Sequence, residues 1–148
     1  MMALNTQLIE LAKKQLSKHE GIRYVAYYDT EGIPTIGIGH NIQDKPLPKE
    51  VVDLLFNYDL ADALRDAERW LGAKQFDSLN TARKLVVLDM AFNLGYNRLS
   101  GFQNFRAAML RGNWARAAQE MENSKWYRQV KTRGVTLCRM MRTGEVVC

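Results

Sequence analysis

The sequence predicts an α+β fold that is mostly α: a small β-hairpin lobe near the N-terminus and a helical lobe beyond it, joined by a long helix. Three observations predict it. Apolar residues recur at helical spacing through most of the chain. One aromatic and β-branched segment, Tyr24-Val25-Ala26-Tyr27-Tyr28, breaks that pattern and is followed by turn chemistry at Asp29-Thr30-Glu31-Gly32. From Pro48 to Gly72 one helical period runs unbroken for about 24 residues, about 36 Å of helix, enough to tie two lobes together. At 148 residues, 47% apolar and 25% charged, the chain suits one globular domain that buries a real core. The hairpin lobe is expected over about 15–60, and the helical lobe over about 70–148 together with the N-terminal helix.

Residues 6–19 read as an amphipathic helix, with Thr6 as its N-cap and Leu8, Leu11, Ala12 and Leu16 on one side. Gly21 stops it. Glu20 then lies at the negative end of the helix dipole, usually unfavourable for an acid by about 0.3–1 kcal/mol. Ile33 to Gly39 reads as the strand returning from the turn, with Pro34 marking an exposed edge. Alternation sends Ile36 and Ile38 to one face, and Thr35, Gly37 and Gly39 to the other. Pro46-Leu47-Pro48 opens the long helix, with Pro48 in its first turn, and Gly72 closes it. The helix over 80–94, apolar through Leu85, Val86, Leu88, Met90 and Phe92, is expected to be the central core helix. Shorter helices are expected around 102–111, 114–123, 125–130 and 134–142, punctuated by Gly95, Gly101, Gly112 and Gly144. Met109, Met121, Met140, Met141, Trp114 and Trp126 read as packing residues.

The chemistry concentrates in Glu20-Gly21, Asp29-Thr30-Glu31-Gly32 and Thr35-Ile36-Gly37-Ile38-Gly39-His40. Two carboxylates stand nine residues apart, and a hydroxyl follows the second by six. An acid, a second acid and a water-orienting hydroxyl are what hydrolysis of a glycosidic bond requires. The glycines on the face of Thr35 leave room for something to approach the backbone, a bound sugar being the functional candidate and a bend in the strand the plain one.

Other chemistries find less support. His19 and His40 are the only histidines, and no Cys/His/carboxylate cluster has ligand spacing, so neither a metal nor a cofactor is expected. Gly37-Ile38-Gly39 lacks the third glycine of a phosphate-cradling motif. Cys138 and Cys148 read as free thiols, consistent with a reducing compartment. No apolar run can span a bilayer, and no secretory signal is visible at the N-terminus, so synthesis in a cytoplasm is expected. The net charge of +5 is uneven: residues 1–100 carry 12 Lys/Arg against 13 Asp/Glu, residues 101–148 carry 9 against 3. A basic half suits a polyanion or an acidic wall polymer as well as a solvated helix face. It lacks the aromatic stacking platform of a nucleic-acid binder.

These motifs, at this spacing, resemble the phage-type lysozymes, the T-even endolysin family of glycoside hydrolases. The resemblance continues through Leu55-Phe56-Asn57, Phe92-Asn93-Leu94-Gly95, Gly101-Phe102, Trp126-Tyr127 and Arg142-Thr143-Gly144, so it covers nearly the whole chain. It implies a lysozyme-like fold and cleavage of the β-1,4 bond between N-acetylmuramic acid and N-acetylglucosamine in peptidoglycan, with inversion. It implies Glu20, Asp29 and Thr35 as catalytic residues, with Glu20 as general acid. Arg133 would pair with Glu20, and His40 with Asp59 as a structural ion pair. Asn41, Phe92, Phe105 and Glu120 fall on cleft positions. Asn41 stands where the family has leucine, and Phe105 and Glu120 stand where its best-known member has serine and asparagine. The resemblance further implies a monomer that reaches the wall through a separate holin, without stable membrane insertion. A lytic transglycosylase and a non-catalytic wall-binding module are the alternatives; the first needs one glutamate and no water-activating pair, and the second needs none of the three.

Overall fold

The computed structural model describes residues 5–147. Among them, eight helices and three strands follow in order: α1 (Thr6–Glu20), β1 (Arg23–Tyr28), β2 (Pro34–Gly37), β3 (His40–Asn41), α2 (Lys49–Leu71), α3 (Ala73–Asp77), α4 (Thr81–Leu99), α5 (Gln103–Leu110), α6 (Trp114–Glu122), α7 (Lys125–Val130) and α8 (Thr132–Thr143). The mostly-α α+β class is therefore the one the chain adopts. It divides into two compact units after Asp53.

In the first unit, α1 is capped by Asn5 rather than Thr6. The Asn5 side chain accepts the Leu8 N–H at 2.7 Å. Asparagine is the stronger cap, and it stands one residue earlier. The helix ends where Gly21 takes a φ of 77° and donates its N–H to the Ser17 carbonyl at 2.9 Å, leaving Glu20 as the last helical residue. The three strands form one antiparallel sheet in the order β1-β2-β3. β2 is thus the central strand, not an edge. Pro34 is tolerated because it is the first residue of the strand. The strand also stops at Gly37 instead of running to Gly39, because both glycines take positive φ and turn the chain into β3. Tyr27 and Asn41 flank Thr35 in the register, and β1 bulges between Arg23 and Tyr27. Thr35, 4% exposed, is the buried residue of this unit among those described.

α2 starts at Lys49, one residue after Pro48, whose carbonyl accepts the Val51 and Val52 N–H groups at 3.0 and 3.2 Å. Its 23 residues continue from the first unit into the second, where Ala63, Ala67, Trp70 and Leu71 are buried. Gly72, at φ 101°, ends it, and the unexpected α3 follows directly. The core of the second unit centres on α4, with Val86, Val87, Met90 and Ala91 inside and Leu85 and Phe92 exposed. Gly95 kinks this helix with φ 74° and ψ 170°. Phe105, Met109, Met121, Trp126, Leu137, Met140 and Met141 from α5 to α8 complete the core. The start of α4 also clamps the end of α8. Arg83 donates through Nε to the Met141 carbonyl at 2.9 Å and through Nη2 to the Arg142 carbonyl at 3.3 Å. Its guanidinium lies 4.4 Å from the centre of the Trp114 ring.

Candidate active site

The first unit gathers the acids and the hydroxyl around one sheet. Glu20 leaves the end of α1 and lies against Gly39. A β-carbon on Gly39 would stand 3.1 Å from Cγ, Cδ and Oε2 of Glu20. The space beside that glycine is therefore filled by the acid itself. At Gly37 nothing lies within 4 Å, so that part of the face is open to a ligand.

Asp29 sits in the turn after β1, half-buried. Its Oδ1 accepts the N–H groups of Glu31 at 2.8 Å and Ile33 at 2.9 Å, while its own N–H donates to the Ile33 carbonyl at 3.0 Å. One carboxylate oxygen is thus fixed by the turn, and Oδ2 stands outside it. Thr35 donates its hydroxyl proton to that same Ile33 carbonyl at 2.8 Å. Ile33 therefore ties Asp29 and Thr35 into one hydrogen-bonded set. The hydroxyl has spent its only proton, so it meets any further partner as an acceptor.

Asn41 lies opposite Thr35 on β3, but its amide serves its own loop. Its Oδ1 accepts the Gln43 and Asp44 N–H groups, both at 2.9 Å, and its Nδ2 donates to Asp44 at 3.0 Å. His40 Nε2 is buried and finds no hydrogen-bond partner within its unit. Its expected partner, Asp59, stands on α2 in the second unit.

The remaining candidates also belong to the second unit. Arg133 donates through Nε to Asp89 Oδ1 at 2.6 Å and through Nη2 to the Asp89 carbonyl at 3.4 Å. Asp89 was not among the sequence candidates. Its signal was available: it is the one charge amid the apolar run Leu85 to Phe92. Phe92 is 44% exposed, with its ring centre 6.1 Å from that of Phe56. Phe105 and Glu120 meet at a cavity of about 680 Å³ that Arg98, Phe102, Lys125 and Trp126 also line. Phe105, only 1% exposed, packs its ring 5.2 Å from Trp70 and forms the floor of that cavity from inside the core. Glu120 accepts from Arg116 at 2.7 Å with 15% of its side chain exposed. Asn93, also unforeseen, accepts the Trp126 indole N–H at 3.0 Å. Cys138 is buried on α8 as a free thiol, pushed up to about 12 by burial and by the nearby Glu122 carboxylate. Cys148 lies outside the described residues.

The family model for phage lysozyme matches residues 17–142, a span that includes every candidate named above. The chain belongs to the phage lysozyme family. The matched segment is a lysozyme-type glycoside hydrolase domain. The chain is 31% identical over 90% of its length to the pre-baseplate central spike protein of Enterobacteria phage T4, of which it spans 28%. It is 27% identical to probable T4-type lysozyme 1 of Dictyostelium discoideum, spanning 98% of that protein. A peptidoglycan hydrolase of Pseudomonas phage phiKMV is 28% identical over 87% of the chain, which covers 15% of it.

Proposed function

We propose that this phage lysozyme domain hydrolyses the β-1,4 bond between N-acetylmuramic acid and N-acetylglucosamine in bacterial peptidoglycan. The observation that carries the reading is the hydrogen-bonded set of Asp29, Ile33 and Thr35 on a sheet whose neighbouring glycine seats Glu20. Glu20, protonated, gives its proton to the glycosidic oxygen as the bond to the anomeric carbon breaks. A water donates one proton towards Asp29 Oδ2 and the other towards the Thr35 hydroxyl, which is held as an acceptor. That leaves the lone pair of the water to attack the opposite face of the sugar, giving inversion. Asp29, ionised, also stabilises the positive charge that develops on the ring.

Family likeness and the second unit supply the rest. Phe92, Phe105 and Glu120 stand at subsites for the polymer, and the basic excess beyond residue 100 suits the carboxylates of its peptides. Asn41 acts by shaping the loop after β3. Arg133, held by Asp89, and His40 and Asp59 are supporting residues that family likeness implies. The domain works as a monomer, without a cofactor. No helix among the described residues is long and apolar enough to cross a membrane. Family likeness implies access to the wall through a separate holin during host lysis. The likeness to a segment of a baseplate spike protein favours a second setting for the same chemistry, a wall-cutting domain carried by a larger phage protein.

Product analysis of digested peptidoglycan tests the reaction. Hydrolysis leaves free reducing ends on muramic acid. Anhydro-sugar ends in their place would mean a lytic transglycosylase and would withdraw the water-activating roles of Asp29 and Thr35.

A further inference from the structure

Gly37 and Gly39 share a backbone reason for being glycine, and only Gly39 has a second. Their φ angles are +70° and +67°, in the left-handed region that side chains disfavour. A β-carbon at Gly37 would meet nothing within 4 Å, whereas one at Gly39 would meet three atoms of Glu20 at 3.1 Å. Glu20 is otherwise exposed at the end of α1. A long, flexible side chain in that situation samples several rotamers. Contact with the bare backbone of Gly39 removes that freedom on one side.

We propose that Gly39 is a positioning residue, whose missing side chain forms the seat of the Glu20 carboxyl. This deepens the reading of Glu20 as general acid and rests on it. Proton donation depends on where the carboxyl stands relative to the leaving oxygen. A misplacement of about 1 Å costs on the order of a hundredfold in rate. A methyl group at 39 forces the carboxyl to give by a few tenths of an ångström. The corresponding loss is about tenfold.

The test compares Gly39→Ala with Gly112→Ala in the full chain; Gly112 has the same φ of +67°, and a β-carbon there would meet nothing closer than Trp114 at 3.8 Å. Both alanines carry the same backbone strain, so both lower the melting temperature by similar amounts. Only Gly39→Ala displaces the carboxyl resonance of Glu20 at a fixed pH, followed by NMR with ¹³C-labelled glutamate. It alone lowers kcat on soluble peptidoglycan fragments about tenfold with KM little changed. If Gly39→Ala does not fold, Gly39→Asn carries the same β-carbon on a residue that tolerates this φ better. A Glu20 carboxyl resonance and a kcat that match those of Gly112→Ala overturn the proposal. Should the wild type cleave nothing, the reading of the reaction falls alone, because the Glu20 carboxyl resonance still reports whether Gly39 seats Glu20.

Discussion

Two duties are assigned to Asp29, and two substitutions separate them. Its Oδ1 holds the turn through the N–H groups of Glu31 and Ile33, at 2.8 and 2.9 Å. Its other oxygen is assigned to the water. Asp29→Ala removes both duties. Losing a side-chain acceptor of this kind costs about 0.5–2 kcal/mol at a helix cap, and the exposed turn is comparable. Opening of the turn thus becomes about 2–30 times more populated. Asp29→Asn keeps an oxygen for the two N–H groups, so the turn stays shut, but it removes the negative charge. Activity then falls on the order of 10²–10⁴-fold, the usual scale of a lost acid or base. Amide hydrogen exchange at Glu31 and Ile33 reads the first duty, and reducing-sugar release reads the second. Asp29→Ala is expected to fail both readings, and Asp29→Asn only the second. An asparagine variant with wild-type turnover would reduce Asp29 to a turn residue. Unchanged exchange in the alanine variant would remove its structural duty.

Three further outcomes follow from the geometry. Thr35→Val keeps the shape of a side chain that is 4% exposed but loses the hydroxyl; turnover drops about a hundredfold while Thr35→Ser stays within tenfold, and a valine variant at full rate would refute the water-holding role. Arg83→Ala removes two hydrogen bonds to the end of α8 and the contact with Trp114; urea unfolding should report a loss of about 2–3 kcal/mol, and a loss under 0.5 would mean the clamp is idle. Cys138, raised from 9.0 to about 12, favours the native state fully below pH 9. That contribution is lost as pH rises towards 12, because the unfolded thiol ionises first. In a Cys148→Ser chain, a thiol reagent at pH 8.5 should label Cys138 only after denaturation. Rapid labelling of the native chain would contradict its burial.

Local signals in the sequence predicted most of the elements. The helix stops at Gly21 and Gly72 need only a residue at ease with positive φ, and the hairpin needs only its strand and turn chemistry. Errors arose where two local signals competed. Thr6 and Asn5 both cap, and the better cap one residue earlier wins. Pro34 fits an edge or a strand start, and only the pairing of β2 with both neighbours decides. The Asx-type turn of Asn41 with Gln43 and Asp44 was readable from residue types, but the family position drew attention to a ligand instead. Contacts between segments leave no periodic trace. The seat of Glu20 on Gly39 spans nineteen residues, and the Arg133–Asp89 pair spans 44. The types of the candidate residues were thus legible, whereas what holds each of them had to come from three dimensions.

The most direct measurement is reducing-sugar release from purified peptidoglycan by the wild type and by Glu20→Gln, with both chains verified as folded by circular dichroism. The wild type is expected to release sugar, and the glutamine variant, which keeps the side chain in place without a transferable proton, to fall by several orders of magnitude. A folded Glu20→Gln chain that cleaves at the wild-type rate would contradict the assignment of Glu20 as the acid.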